Sequence, residues 1–186
     1  MRFLGGKHKG LPIISDDDVR DLQAITQLIQ VDYFILPFAS CGQDIKTLRE
    51  MLGPVGKTIK ILAKADTING IENFEDILNQ CDGIVLCRNE LSWEIPSEKL
   101  MIAQKWAIQQ CNKKAKLLMI QSQVLESMVN ENQPLRQEMT EISTATLEGA
   151  DCFILSHETS IGKHFIDATI NLAKGIAEAE AIFDYE

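Results

Sequence analysis

Residues Lys60–Gly70 read KILAKADTING. An apolar run ends at Lys64, and a carboxylate, Asp66, follows two residues later. Strand side chains alternate faces, so Lys64 and Asp66 point the same way if the extended conformation continues. A cation and an anion side by side at the end of a buried strand have two readings: a surface salt bridge, or the mouth of an active site. The same event recurs along the chain. The run DGIVLC ends at Arg88–Glu90, KLLMIQ ends at Ser122, and ADCFIL ends at Ser156–Glu158.

Working outward, each apolar run is followed by a segment of helical period. DDDVRDLQAITQLIQ sets Val19, Leu22, Ile25, Leu28 and Ile29 on one face, with Ser15 as N-cap and three aspartates at the positive end. YFILPF reads as a strand, then GQDIKTLREMLG as a helix stopped by Gly53. After KTIKILA comes GIENFEDILNQ, one helix with Ile71, Phe74, Ile77 and Leu78 inward. SEKLMIAQKWAIQQCNKKA reads as a long helix capped by Ser97, with Met101 and Trp106 expected in the core. PLRQEMTEISTATLEG and FIDATINLAKGIAEAEAIF complete the helices. Trp93 is expected to pack rather than stack on a ligand, and His157 to be solvated.

Five strands beginning near positions 33, 58, 83, 116 and 151 alternate with helices, the rhythm of βα units and a parallel sheet. An open doubly wound sheet and part of a (β/α)8 barrel both fit. Three features favour the barrel. No G-x-G-x-x-G follows the first strand. The polar residues gather just after the strands, where a barrel carries its chemistry, and the strand-to-helix turns recur in similar form. A full barrel takes about 250 residues, so the expectation is a partial TIM barrel, α/β, with about five parallel strands.

Composition narrows the function classes. Hydrophobic residues make up 45% and charged residues 24% of the 186, an ordinary balance for a globular protein. A net charge of −9 and the lack of a basic stripe argue against nucleic acid as a partner. The apolar runs are too short for a bilayer, and residues 1–12 show no signal-peptide pattern, so no membrane partner and a cytoplasmic location are expected. Five cysteines, an odd number without a C-x-x-C pair, read as reduced thiols. His8, His157 and His164 form no zinc-type ligand set with them.

The rim residues carry the candidate chemistry. Neighbouring parallel strands lie about 4.8 Å apart, so Asp66 and Glu90 at adjacent strand ends can converge on one hard cation such as Mg²⁺. Lys64 beside them suits a transferring phosphoryl group, and Ser122 suits a proton relay. The competing reading is solvated loop charge.

The segments LPIISDDDVRDL, IKILAKADTINGIENFEDIL, CDGIVLCRNELSWEIPSEKLMIAQK, QVLESM, LEGADCFILSHET and AEAEAIFDYE together resemble the later part of the catalytic barrel of pyruvate kinase. They cover nearly the whole chain from Leu11, and EIPSEK, QVLESM and GADCFILSHET are the most specific. LGGKHKG is similar to the segment that leads back from the family's inserted lid domain. The resemblance implies a (β/α)8 barrel and transfer of phosphate from phosphoenolpyruvate to ADP in glycolysis. It puts Lys64 on the catalytic lysine and Ser122 on the threonine that helps protonate the enolate. It puts Asp66 and Glu90 on the two metal-ligand carboxylates, for Mg²⁺ or Mn²⁺. Cys87, Arg88 and Asn89 fall on the turn whose backbone amides hold the substrate carboxylate. Ser156 and Glu158 match the S-x-E of the last barrel strand.

The sequence also departs from the family. K-I-E-N becomes KADT and R-G-D-L-G becomes RNELS, so the two carboxylates have exchanged lengths. A ligand displaced by about 1 Å can cost about 10²-fold in rate. Asn89 and Ser92 replace glycines, Pro37 replaces a serine near the monovalent-cation site, and Ser40 and Cys41 replace a basic pair. The family's K⁺ site is therefore not expected here. The sequence expectation is a single partial-barrel domain over 1–186, with 1–10 a flexible lead-in and the lid and C-terminal domains absent. Such a chain is expected to be inactive alone and to act as a scaffold or assembly component, with a protein partner or oligomer covering the open barrel edges. The alternative is a catalytic piece, binding phosphoenolpyruvate and completed by another chain.

Overall fold

The strand Gly83–Cys87 is buried at all five positions, as expected where helices cover one face of a parallel sheet and side chains fill the other. Around it the computed structural model describes residues 12–182. The lead-in 1–10 and the end of AEAEAIFDYE, residues 183–186, lie outside the described residues. The elements run α1 (Asp16–Leu28), β1 (Tyr33–Leu36), α2 (Gly42–Leu52), β2 (Lys60–Ala65), α3 (Ile68–Glu72), α4 (Phe74–Gln80) and β3 (Gly83–Cys87). Then come α5 (Arg88–Leu91), α6 (Ser97–Lys113), β4 (Leu117–Gln121), α7 (Arg136–Leu147), β5 (Cys152–Ile154), α8 (His157–Ser160) and α9 (Phe165–Ala181).

Spatial order follows chain order, β1-β2-β3-β4-β5, and every pair is parallel. A doubly wound sheet reverses its strand order at a switch point. Among the described residues no reversal occurs, so the sheet is a segment of barrel wall. β1 and β5 are its two edges.

The register sorts the side chains. Ala63 pairs with Ile84, Ala65 with Leu86, and Leu86 with Ile120. These residues face the helices and join Leu78, Leu91 and Ile108 in the main core. The alternate set, Ile35, Leu62, Lys64, Val85, Cys87, Met119 and Gln121, shares the other face, the inside of the barrel wall. At the β1 edge Tyr33 and Ile35 of this face are exposed. Gly83 belongs to it too: a Cβ there would meet the Leu117 carbonyl at 2.8 Å and Leu62 Cδ2 at 2.9 Å. Its missing side chain lets the two leucines close the inner layer.

Some local expectations change. The helix expected over GIENFEDILNQ is two, broken at Asn73 (φ −100°, ψ 19°). Phe74, Ile77 and Leu78 are buried as expected, while Ile71 is only partly buried. Ser97 is the first helical residue of α6 and Pro96 holds the cap position, so the hydroxyl makes no cap bond. Ser15 does cap α1, in a reciprocal box with Asp18. The apolar row of α1 stays largely open, with no buried residue, because α1 packs only lightly on α2. Met101 and Trp106 are not core; they are 40% and 37% exposed. The buried stripe of α6 is Gln104, Ala107, Ile108 and Cys111. Met101 lies a turn before it, and Trp106 lies off it, its ring tilted on Phe74 at 4.8 Å. Trp93 is 53% exposed.

Candidate active site

The inner face of the wall delivers the site. Lys64 is the last inward residue of β2, and Asp66 follows on the same side just past the strand. β3 ends at Cys87 and turns at once into α5, a single turn that carries Glu90. β4 ends at Gln121, and Ser122 begins the next turn. In-register pairing brings these three strand ends together, although Lys64 and Ser122 lie far apart in sequence.

Lys64 Nζ lies 3.9 Å from Asp66 Oδ2 and 3.7 Å from Glu90 Oε1. Asp66 is fully buried, and Lys64 and Glu90 are 16% and 25% exposed. This is no solvated surface pair. A carboxylate removed from water is strongly disfavoured without a cation beside it, and the ammonium supplies one to both carboxylates. The thiol of Cys87 donates to the other oxygen of Glu90, and its sulfur lies 3.3 Å from Ser122 Oγ. Burial pushes the Cys87 thiol up, and the Glu90 carboxylate pushes it further, against smaller opposing effects of the Ser122 hydroxyl and the Lys64 charge. The residue at this position is thus a neutral thiol, a donor rather than a nucleophile.

The three residues Cys87, Arg88 and Asn89 part company. Cys87 joins the cluster. The Asn89 carbonyl accepts from the Ser92 hydroxyl at 2.7 Å, a bond within the turn that carries Glu90. The Arg88 side chain reaches across to the turn after β4 and to α7. Its Nη2 donates to the carbonyls of Ser122 (3.2 Å) and Gln123 (2.6 Å), and its Nη1 to Glu141 Oε2 at 2.8 Å. Ser156 and Glu158 brace the next turn: the buried Glu158 carboxylate accepts from the amides of Val124, Leu125 and Ser156. Glu141 gave no sequence signal, since it looks like any exposed acidic residue of an amphipathic helix. His157 is exposed, 3.5 Å from Glu126.

Asp66 and Glu90 are oxygen donors of the type a hard divalent cation takes, and both lie within 4.0 Å of the same ammonium. Among the described residues no group of three or more His, Cys, Asp and Glu side chains is disposed to hold a metal. Mg²⁺ commonly takes only one or two carboxylates and draws its other oxygens from substrate and water. Among the described residues no helix is long and apolar enough to cross a membrane.

A family model described as the barrel domain of pyruvate kinase matches residues 4–169. A pyruvate kinase of Eimeria tenella is 34% identical over 183 residues, covering 98% of this chain and 34% of that protein. A human pyruvate kinase is 39% identical over 179 residues, covering 96% and 31%. A probable cytosolic pyruvate kinase of Arabidopsis thaliana is 37% identical over 175 residues, covering 94% and 35%. The chain thus spans about a third of the length of these relatives.

Proposed function

The chain belongs to the pyruvate kinase family, and we propose that the rim at the ends of β2, β3 and β4 binds phosphoenolpyruvate with a divalent cation for phosphoryl transfer to ADP. One observation carries the reading: a single ammonium, Lys64, lies within 4.0 Å of two carboxylates from adjacent strand ends, one of them wholly buried.

In the transfer the bond from phosphorus to the enol oxygen breaks, and a bond from phosphorus to a terminal oxygen of ADP forms. The enolate left behind takes a proton at its methylene carbon and becomes pyruvate. Lys64 faces the charge that spreads over the transferring oxygens, in a site where burial strengthens the attraction. Asp66 and Glu90 would hold Mg²⁺ or Mn²⁺, which when bound neutralises phosphoryl charge and aligns the substrate. The Ser122 hydroxyl delivers the proton, and its contact with Cys87 ties it to the same strand end as Glu90. The turn at Cys87–Asn89 receives the substrate carboxylate on its backbone amides.

A second reading, a non-catalytic component of an assembly, is favoured by the sheet edges. Tyr33 and Ile35 at β1, and Phe165, Ile166 and Ile170 on α9, are exposed apolar residues of the kind a covering protein surface would bury. A cytoplasmic location fits both readings, because all five cysteines are free thiols.

The test is calorimetric titration of Mn²⁺ into the purified chain with phosphoenolpyruvate present, beside Asp66→Ala, and a coupled assay of pyruvate formation. Saturable binding lost in the variant, with pyruvate formed, supports the catalytic reading. Binding without turnover leaves the rim as a retained ligand site and favours the assembly reading. The absence of any Asp66-dependent binding overturns the proposal.

A further inference from the structure

Arg88 is charged and only 6% exposed, and its side chain, unlike its backbone amide, has no part in the chemistry above. What it holds is unusual backbone. Ser122 and Gln123 both have positive φ, 72° and 55°. Neither is glycine, and each pays the steric penalty of a left-handed L-residue. The two carbonyls of this turn are where the guanidinium donates: Nε and Nη2 to Ser122 O at 3.3 Å and 3.2 Å, and Nη2 to Gln123 O at 2.6 Å. Nη1 is held by Glu141 of α7 at 2.8 Å, which balances the charge and fixes the plane of the fork.

We propose that Arg88 is a positioning residue for Ser122, its buried guanidinium clamping the left-handed Ser122–Gln123 turn so that the Ser122 hydroxyl stays against Cys87 at the rim. The fork matches the task because it presents several donors in one rigid plane, whereas a lysine ammonium is a single point. With Nε, Nη1 and Nη2 all engaged, the side chain is committed to the backbone and to Glu141 rather than to a substrate anion. Arg88 leads directly from β3, so the same turn that carries Glu90 also sets the end of β4. One residue thereby fixes the geometry between the carboxylate of one strand end and the hydroxyl of the next. The functional meaning of the clamp rests on the rim reading above; its existence does not, and the test is conformational for that reason.

The experiment is NMR on the isotope-labelled full chain. It compares the cross-peak between the β-protons of Ser122 and Cys87 with cross-peaks between the paired residues Leu86 and Ile120. In Arg88→Met the Ser122–Cys87 contact is expected to fall about tenfold, the population change that one left-handed penalty converts to, while the Leu86–Ile120 contact persists. Adding Gln123→Gly, which relieves one of the two left-handed penalties, is expected to restore part of it. A loss of burial alone would not produce that rescue. Should Arg88→Met not fold, Arg88→Lys and Glu141→Gln give the same reading with milder changes: a weakened Ser122–Cys87 contact supports the clamp. An undiminished contact in any folded Arg88 variant, or an unrescued loss in the glycine double variant, overturns it. Mn²⁺ titration of the same sample separates the two readings. Missing paramagnetic broadening at Asp66 and Glu90 sinks the rim proposal and leaves the clamp result standing.

Discussion

Replacing Lys64 by methionine keeps the apolar stem and removes the charge between Asp66 and Glu90. At an effective dielectric of about 20, an ion pair at the observed separations of 3.9 Å and 3.7 Å is worth about 4 kcal/mol of Coulomb attraction for each contact before desolvation is subtracted. Removing one partner of a buried pair costs about 3–5 kcal/mol, because it strands the charge that remains. Asp66 and Glu90 each keep further interactions, so the low end, about 3 kcal/mol, is the expected loss. With a urea slope of about 2 kcal/mol per molar, the unfolding midpoint falls by about 1.5 M. Two companions make the origin visible. Lys64→Met combined with Asp66→Asn replaces the stranded anion with a neutral amide and should recover about 1–2 kcal/mol, a coupling of the size expected for residues in contact. Mn²⁺ at about 100 times its dissociation constant should restore about 2.7 kcal/mol to Lys64→Met, by binding the folded state through Asp66 and Glu90. A Lys64→Met variant that unfolds within about 0.5 kcal/mol of the parent, the range of an ordinary surface substitution, would refute a buried cluster, for then the three charges behave as an exposed salt bridge.

Other consequences are checked more quickly. Glu158→Ala leaves the amides of Val124, Leu125 and Ser156 without their buried acceptor, and should cost about 3 kcal/mol or more in denaturant melts; a loss under about 1 kcal/mol would mean that water replaces the carboxylate freely. Burial pushes Asp82 up, but the Ile61 amide and the Arg49 and Lys60 charges outweigh it and leave it below the usual carboxylate range. Its folded-state pKa is lower than the unfolded value of about 3.9, so its stabilisation is present above that pH and disappears as the pH falls through the folded value. Asp82→Asn should therefore flatten the acid limb of a stability–pH curve below about pH 4 and leave its shape near neutrality unchanged; an unaltered acid limb would count against this. Burial lifts the Cys111 thiol to about 12, with Cys81 and Asp151 adding to the rise, so in the native chain at pH 8 it should resist alkylation while the partly exposed Cys41 reacts, and labelling of Cys111 at the rate of Cys41 would show the core to be open.

The sheet was legible because its strands are short apolar runs, and a strand buried on both faces has few other ways to read. DGIVLC is the clearest case, buried at every position from Gly83 to Cys87. Strand order was not written in any one segment. It follows from packing every crossover the same way, and only the spatial sequence β1 to β5 separates barrel wall from doubly wound sheet. Helix faces were legible where the helix lies against the sheet, as at Phe74, Ile77 and Leu78. They misled where the neighbour is thin: the apolar row of α1 has the right period but little to bury against. Periodicity also missed the break at Asn73, because a change of backbone angle at one residue leaves the apolar spacing on either side intact.

The candidate site divides along the same line. Lys64, Asp66 and Glu90 could be suspected from sequence, since charges that end buried strands must either reach water or meet each other, and parallel register carries strand ends to one rim. The conformation that places Ser122 could not. A positive φ is announced in sequence by glycine, or at times by asparagine, and here serine and glutamine adopt it in succession. Arg88 in turn is indistinguishable, as a letter in RNEL, from a solvent-facing arginine at the start of a helix. The left-handed turn and the buried guanidinium are each costly alone and are compatible only together, so neither residue type discloses the pair. The part of the rim that rests on charge at strand ends is therefore readable from the chain, whereas the part that rests on a strained turn and its clamp emerges only once the strands are assembled.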